Sequence, residues 1–549
     1  MKKKISVLYI LIIILTFGCD DGFLDTAPYN GLSNAVIFNN DENATMAMNG
    51  VYNAMAQNAF YDWFLILTNI GPDGFSWGRA PWGYNLVTGT GTSRDNPITQ
   101  LYINLHKPIV YANDVIAGLD GNEKVSETLR NRLIGEAKFV RGLCYFYLYN
   151  IYGGVVLIDK PTPVSETYLP KSTVEEVKQL VIADFTDAID RLPVTYETSE
   201  LGRPTKGSAI AMLGKVYLYN EQWSDAAEQL KKLLSTPYSY DLTDNFGDSF
   251  YWQTQNNKES VFEIQYTMET DLGSNFEQRY GNRSGGKQGE DYCEASVTAL
   301  SVFTNSDGTP IDLTTIPQQE DYANEKAFGT ALTNWYQTTL ANADVRLHQS
   351  IILPGSTFYG KGNKDYKIYW PYAPYVNATP PALRTTWTTA ALMPIRKFLT
   401  LGDENILNAK TCPTNFPIVR FADVLLMYAE AENEANGPSD AVYNAVNRVR
   451  KRAGVVDFSS GLSKDQMRRE IWLERYRELM FETHLYFDVK RWKVAHTTDP
   501  IFGLNRDELD FRLKKLFTRI FNKDKDYLLP IPGSEIDLNP LLEQNPGWN

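Results

Sequence analysis

The chain has 549 residues, of which 43% are hydrophobic, so it can bury a large core, and its length alone would suggest more than one domain. The formal net charge is −13, which argues against a nucleic-acid backbone as a partner. Aromatic residues make up 13% of the chain. Many of these rings must lie at the surface or in a cleft, where they suit ligands that are part apolar and part polar.

The N-terminal residues have the pattern of an export and anchoring segment. A basic start precedes the apolar run Ile5–Phe17, which is shorter than the ~20 residues that a spanning helix needs. The pattern predicts a signal peptide over residues 1–18. A Gly-Cys pair follows, as in a bacterial lipobox, so we expect Cys19 to be lipidated and residues 19–41 to form a tether. The alternative is an ordinary secretory signal that is cleaved elsewhere.

Apolar residues recur at helical spacing over much of the N-terminal half. Between the first two predicted helices lies a loop rich in glycine, proline and tryptophan, from Tyr61 to Asn96. Loops seldom carry so many rings without a functional reason. The predicted helices cover residues 42–60, 101–119, 127–150 and 174–192.

Residues 208–236 match the tetratricopeptide template at its small and large positions, including Gly214 and Leu230. A looser unit runs from Phe421 to Val449, and residues 130–150 with 174–192 form a third candidate. One clear unit and several degenerate ones predict a short helical solenoid with insertions.

Residues 237–416 differ from these blocks, because they are rich in Gly, Pro, Asn and aromatic residues and predict only short strands such as Ser260–Gln265. A structureless loop of that size cannot stand alone, so we expect an irregular lobe that packs on the helices. The predicted fold class is mostly α, a tetratricopeptide-like helical hairpin scaffold with a loop-rich lobe. The predicted single globular unit 42–549 consists of a scaffold at about 42–236 and 417–496, a lobe at about 237–416 and a C-terminal segment at 497–549.

One helix is predicted to carry the string from Glu474 to Trp492. Glu470, Glu474, Glu478 and Glu482 follow one another at four-residue spacing, where like charges repel. Neighbouring arginines predict that cations neutralise this row in a buried or half-buried ion network. The alternative is a carboxylate pair of a retaining glycosidase. We favour the network, because acids beside arginines stay ionised and make poor proton donors.

Several blocks of the chain resemble the SusD/RagB family, the nutrient-binding outer-membrane lipoproteins of Bacteroidetes. The most specific is ERYRELMFETHLYFDVKRW, whose long spacing mixes charged and aromatic positions. The other blocks, in family order, are GEAKFVRGLCYFYLYNIYGGVVL from Gly135, GRPTKGSAIAMLGKVYLY from Gly202, FPIVRFADVLLMYAEAENEA from Phe416 with VNRVRKRAG from Val446, and YLLPIPGSEIDLNPLLEQNPGW from Tyr527. Asp344-Val345-Arg346 and Arg396-Lys397-Phe398 resemble family landmarks that we interpret as structural.

The resemblance implies a surface lipoprotein that binds an oligosaccharide and delivers it to a SusC-like TonB-dependent outer-membrane transporter. It implies no enzymatic activity. Two alternatives remain open, a peptide-binding RagB-like protein and a surface glycoside hydrolase.

The candidate binding residues are rings with polar neighbours, because a sugar presents a C–H face to an aromatic plane and hydroxyl groups around its rim. The resemblance implies a ligand site where the loop after the first helix meets the irregular lobe. The candidates are Asp73, Trp77, Arg79, Trp82, Tyr84 and Asn85 in the loop, and Tyr280, Arg283, Tyr292, Trp335 and Tyr336 in the lobe.

The sequence predicts neither a cofactor nor a metal site. The four histidines are far apart, and no Cys/His spacing suits a metal. Besides Cys19, the chain has Cys144, which we interpret as a core residue, and Cys293 and Cys412, whose pairing the sequence leaves open.

Overall fold

The structure, a computed structural model, describes residues 37–60, 62–76, 78, 82–269, 271–281, 289–290, 292–360, 364–367, 393–399 and 411–548. The predicted signal peptide and Cys19 lie outside these residues. Helices dominate the described chain, as the predicted fold class requires. None of the described helices combines the length and the apolar character that crossing a bilayer demands.

The helices agree with the predicted ones to within a few residues, and a one-turn π-helix, Met55–Ala59, extends the first of them. The α-helices are α1 (Asp41–Ala54), α2 (Ile66–Ile70), α3 (Tyr84–Val87), α4 (Asn96–Leu119), α5 (Glu127–Tyr152), α6 (Val174–Arg191), α7 (Lys206–Tyr219), α8 (Trp223–Lys231), α9 (Phe276–Arg279), α10 (Thr298–Val302), α11 (Glu325–Thr339), α12 (Val345–Ser350), α13 (Phe421–Asn436), α14 (Asp440–Arg452), α15 (Lys464–Leu479), α16 (His484–Arg491) and α17 (Gly533–Leu538).

The described strands are short and pair two by two in antiparallel fashion: β1 (Gly74–Phe75) with β3 (Glu294–Ala295), β2 (Ser260–Ile264) with β6 (Phe416–Arg420), β4 (Thr357–Gly360) with β5 (Lys364–Lys367), and β7 (Asp507–Leu509) with β8 (Lys515–Thr518). Two of these pairs connect distant parts of the chain. The β1–β3 pair joins the ring-rich loop to the lobe, and the β2–β6 pair joins the start of the lobe to the segment before α13.

The predicted hairpins are present: α5 packs on α6, α7 on α8, and α13 on α14, while α8 also packs on α13. The small residue of the clearest repeat, Gly214, lets the two helices of its hairpin approach closely, as predicted. A Cβ atom added to Gly214 would lie 2.7 Å from Cγ of Leu230, so only glycine allows α7 and α8 to approach this closely. The helices therefore form the predicted solenoid.

The prediction of one helix from Glu474 to Trp492 is wrong in its middle. The helix ends at Leu479, and α16 begins at His484. Between them Phe481 and Thr483 adopt positive φ angles of 65° and 67°, which a helix cannot contain. The interruption leaves the amide of Phe481 free to bond outside the helix, and it donates to Oδ2 of Asp73 at 2.6 Å.

The predicted ion network is present and buried. The carboxylates of Glu474, Glu478 and Glu482 are 0% exposed. Arg346 Nη1 lies 2.9 Å from Oε2 of Glu478, and Arg420 Nη1 lies 2.7 Å from Oε1 of the same carboxylate. Further pairs are Arg346–Glu474 at 2.7 Å, Arg420–Glu482 at 2.7 Å, Lys397–Glu482 at 2.9 Å and Arg420–Glu259 at 2.6 Å. Because Arg346 and Lys397 belong to the lobe, the network joins the lobe to α15.

Opposing effects set the ionisation of Glu478. Burial alone would raise the pKa of its carboxyl group, but the charges of Arg452, Arg420 and Arg346 outweigh burial and hold that pKa well below its ordinary value. The carboxylate therefore stays ionised and bonded at neutral pH, which suits an anchor and does not suit a proton donor.

Substitution Glu478→Ala should lower the free energy of unfolding by about 3–5 kcal/mol, because it leaves Arg346 and Arg420 buried without a shared counter-ion. Denaturant unfolding measures this loss. The loss should shrink as the pH falls below 4.5, the ordinary pKa of a glutamate side chain. Folding depresses the pKa of Glu478, so its carboxylate contributes its full stability above pH 4.5 and loses that contribution as acid protonates it. The control is Glu470→Ala on the same helix, where the side chain is half-exposed. Equal effects of the two substitutions would refute the anchoring role.

Candidate functional site

Three aromatic rings from separate segments form a stack where the loop after α1 meets the lobe. The Trp63 and Trp82 rings lie 5.0 Å apart between centroids at an interplanar angle of 10°. The Tyr292 ring lies 4.6 Å from Trp82 at 19°. Trp82 is 8% exposed, whereas Trp63 and Tyr292 are half-buried. We call these three residues the ring stack; its two outer rings remain partly accessible.

The guanidinium group of Arg279, at the end of α9, lies beside Trp82 and Tyr292 of the ring stack. Its Cζ atom lies 4.3 Å from the Trp82 centroid and 4.9 Å from the Tyr292 centroid, within the range of a cation–π interaction. Asp62 holds it with two bonds, from Nε at 2.5 Å and from Nη2 at 2.7 Å. Glu290 lies 3.7 Å from Nη1 and also accepts a bond from Gln278 at 3.1 Å. The ring stack therefore has a charged polar rim in a fixed position.

Asn69, at the end of α2, holds two segments of the ring stack together. Its Nδ2 atom donates to the carbonyl oxygens of Trp82 and Tyr292, each at 3.0 Å. Two nearby glycines allow the close approach. A Cβ atom on Gly83 would lie 2.9 Å from Ile70 Cγ2, and one on Gly74 would lie 2.8 Å from Cys293 Sγ. The ring spacing is thus set by backbone contacts beneath the rings.

Arginines of the C-terminal segment hold the loop that follows α2. Arg519 donates to the carbonyl oxygens of Gly71, Asn69 and Gly74 at 2.6, 3.0 and 2.6 Å. Arg506 donates to the carbonyl of Pro72 at 2.6 Å. Because a loop has no ladder of its own, these bonds replace the missing partners of its backbone.

Two predicted site residues, Asp73 and Tyr280, are buried, each with 1% exposure. The hydroxyl oxygen of Tyr280 lies 3.2 Å from Oγ1 of Thr68. Asp73 accepts the bond from Phe481 described above. Burial raises the pKa of the Asp73 carboxyl group to about 6, against that bond and the charges of Arg519 and Lys397. In this structure both side chains support the loop and offer no surface to a ligand.

The remaining predicted residues are dispersed. Tyr84 packs edge-on against Phe517 at 5.3 Å, and both Tyr84 and Asn85 are half-buried in α3. Trp335 donates to Thr315 at 2.9 Å and Tyr336 to the carbonyl of Phe511 at 2.8 Å, with 8% and 2% exposure. None of these four residues is stacked with a ring of the ring stack. The predicted residues Trp77, Arg79 and Arg283 lie outside the described residues.

Sequence reasoning missed Trp63, Arg279 and Asn69. Trp63 stands in the ring-rich loop and could have been chosen with its neighbours. Arg279 directly precedes the predicted Tyr280, but nothing in the sequence distinguishes it from other arginines. Asn69 carries no signal at all, because its role depends on two carbonyl groups, 13 and 223 residues further along the chain.

The three described cysteines, Cys144, Cys293 and Cys412, are buried free thiols. The possible Cys293–Cys412 bridge is therefore absent from this structure. Among the described residues, no cluster of three or more His, Cys, Asp or Glu side chains is arranged to hold a metal ion.

Two family models match the chain. One, described as the SusD family, matches residues 258–548, and another, described as starch-binding associating with outer membrane, matches residues 22–218. SusD-like protein P2 of Formosa agariphila is 27% identical over an alignment of 571 positions that covers all of both chains. A SusD-like protein of Bacteroides ovatus is 26% identical over all of this chain and 98% of its own.

Solved structures share the fold. A SusD-like carbohydrate binding protein from Bacteroides fragilis has a TM-score of 0.76 at 22% identity, over 92% of this chain and 100% of that chain. A laminarin binding SusD-like protein has a TM-score of 0.66 at 22% identity, over 92% and 99%. These matches confirm the predicted fold class.

Substitution Asp73→Asn should stabilise the protein at neutral pH by up to roughly 3 kcal/mol, since it removes the cost of charging a buried carboxyl group. The amide oxygen can still accept the bond from Phe481. Because the folded pKa is raised from 3.8 to about 6, the wild type should lose stability relative to the variant as the pH rises through that interval. Thermal unfolding of both proteins across the interval measures the difference, and a pH-independent difference would contradict this account.

Proposed function

The chain belongs to the SusD family, and on that premise we propose that it is a surface-exposed outer-membrane lipoprotein that binds an oligosaccharide. It delivers this ligand to a SusC-like TonB-dependent transporter. This family membership agrees with the resemblance that the sequence blocks carry. The finer statements, the glycan, the anchor and the partner, are our proposal.

The ring stack carries the proposal. Its outer rings, Trp63 and Tyr292, are half-buried and come from segments that the β1–β3 pair and Asn69 hold together. A sugar ring packs its C–H face on such a plane, and its hydroxyl groups need polar partners at the rim. Arg279, Glu290 and Gln278 supply a donor and acceptors there. Because the bonds around Arg279 exist without a ligand, little ordering is needed on binding.

The alternative of a glycoside hydrolase finds no support in the carboxylates that suggested it. Glu474 and Glu478 are 0% exposed and pair with arginines throughout, so a substrate cannot reach them and neither is a proton donor. Burial would raise the pKa of Glu474, but Arg346, Arg477 and Arg450 hold that pKa below its ordinary value. We therefore propose binding without a bond being made or broken.

The N-terminal pattern supports delivery at the membrane. Acyl chains on Cys19 would hold the protein at the outer membrane without a spanning helix. A tether over residues 19–36 would keep the binding site close to the transporter. The predicted end of the tether at residue 41 is wrong, because Phe38 is 8% exposed in the core and Asp41 begins α1. Weak binding of each sugar then suffices, because a linked transporter experiences a high local ligand concentration.

Substitution Trp63→Ala should weaken oligosaccharide binding by about tenfold, or roughly 1.4 kcal/mol, because it removes one accessible stacking face. A glycan array that includes laminarin oligosaccharides, followed by calorimetry on each ligand that binds, measures the change. The same array carries peptides, which tests the RagB-like alternative.

The matched control for this experiment is Trp223→Ala, since Trp223 is also a half-buried tryptophan but lies at the start of α8, outside the ring stack. It should leave binding unchanged. The proposal fails if the array shows peptide binding only, or if Trp63→Ala binds every glycan as the wild type does.

A further inference from the structure

A second groove lies between the helical scaffold and the lobe. It consists of two adjoining hollows with volumes of about 280 and 200 Å³. They share Leu201, Gly202, Arg203 and Glu263, so one ligand could extend through both. We call them together the tyrosine groove, because Tyr196, Tyr238 and Tyr240 line the larger hollow and Tyr52 lines the smaller one. No residue of the ring stack lines either hollow.

A buried carboxylate fixes the wall of the tyrosine groove. Glu136 is 0% exposed and accepts bonds from Tyr52 at 2.8 Å, Tyr196 at 3.2 Å and Arg203 at 2.9 Å. One residue thus positions a tyrosine in each hollow and the arginine that they share. This is a pre-organised arrangement, in which side chains are ordered before any ligand arrives.

Amide groups on the lobe side are also held in place. Asn256 and Gln265 exchange two bonds, at 2.8 and 3.1 Å. Glu263 accepts a bond from Asn415 at 2.9 Å. Asn256 keeps one donor hydrogen and one acceptor lone pair that no described residue uses, whereas Gln265 spends both of its donors and both of its lone pairs on Asn256, Asn415 and Glu263. The groove therefore combines flat rings with convergent polar groups.

The rings offer a platform for the face of a sugar. Tyr238 and Tyr240 are nearly parallel, at 6° and 6.1 Å between centroids. The hydroxyl group of Tyr240 lies 3.1 Å from Oγ1 of Thr205, which fixes this ring, and Leu201 is 52% exposed beside it. Parallel rings with an apolar edge suit a C–H face better than they suit a charged group.

The charges select a neutral ligand. Arg203 already faces Glu136 at 2.9 Å and Glu200 at 3.5 Å, so its charge is compensated. Lys258, which also lines the larger hollow, pairs with Asp244 at 3.0 Å. A carboxylate or sulfate group would therefore find no uncompensated cation among these residues. We propose that the tyrosine groove is a second binding site, for a short neutral oligosaccharide, separate from the ring stack.

The test uses the full chain and four neutral probes: laminarihexaose, maltohexaose, cellohexaose and xylohexaose. Calorimetry measures the number of equivalents bound, and tryptophan fluorescence reports on the ring stack, since no tryptophan lines the tyrosine groove. The variants are Tyr238→Ala and Leu201→Arg, the latter at an exposed position where the two hollows meet. The control is Tyr168→Ala, which is 55% exposed and lies outside the groove.

We expect at least one hexaose to bind at two sites in the wild type. Tyr238→Ala and Leu201→Arg should each weaken one of them at least tenfold and leave the fluorescence titration and the other site unchanged. Trp63→Ala should weaken binding at the ring stack and change the fluorescence titration, and it should leave binding in the tyrosine groove unchanged. A single equivalent for every hexaose, no binding at all, or variants that bind as the wild type does would overturn the second site. The function proposed for the ring stack fails separately, if Trp63→Ala alone has no effect.

Discussion

Arg420 lies among three buried carboxylates, 2.6 Å from Glu259, 2.7 Å from Glu478 and 2.7 Å from Glu482. This contact joins the start of the lobe, the segment before α13 and the end of α15. The described lobe has only short strand pairs, so no extended sheet ties it to the helices. Buried ion pairs add little net stability over an apolar core of equal volume, but a misplaced charge costs several kcal/mol. We expect these pairs to disfavour other placements of the lobe, since any of them would leave a charge buried without its partner.

The binding site depends on the same region through the interruption after α15. If the helix continued past Leu479, the amide of Phe481 would bond within it, and Asp73 would lose its donor. The loop would then lose one of its contacts to the C-terminal half and keep those of Arg506, Arg519 and Tyr476. The ring stack rests on this loop, because Asn69 bonds the backbones of Trp82 and Tyr292. The position of rings at the surface is thus decided by charges in the interior.

Acidic residues serve different purposes in the two parts of the molecule. Glu474, Glu478 and Glu136 are buried and hold arginines or tyrosines in place. Asp62 and Glu290 keep side-chain exposures of 18% and 27% and surround Arg279 at the rim of the ring stack. Counting carboxylates in order to find a catalytic site would therefore select the buried residues of the first group, which hold other side chains in place. Polar groups that could contact a ligand are instead those beside accessible rings, at the ring stack and in the tyrosine groove.

The sequence by itself determined the helices, the hairpin pairing and the presence of a charged network, because periodicity, the Gly214 position and the spacing of Glu474 and Glu478 are local signals. The resemblance to the family, and not these local signals, implied a site where the loop meets the lobe. Only the tertiary structure decided which rings are accessible. Trp82 and Tyr292 stack, whereas Tyr280 and Tyr336 are core residues, because the surroundings of each ring come from segments hundreds of residues apart. The break at Phe481 escaped prediction for the same reason: its bond to Asp73 spans 408 residues of the chain.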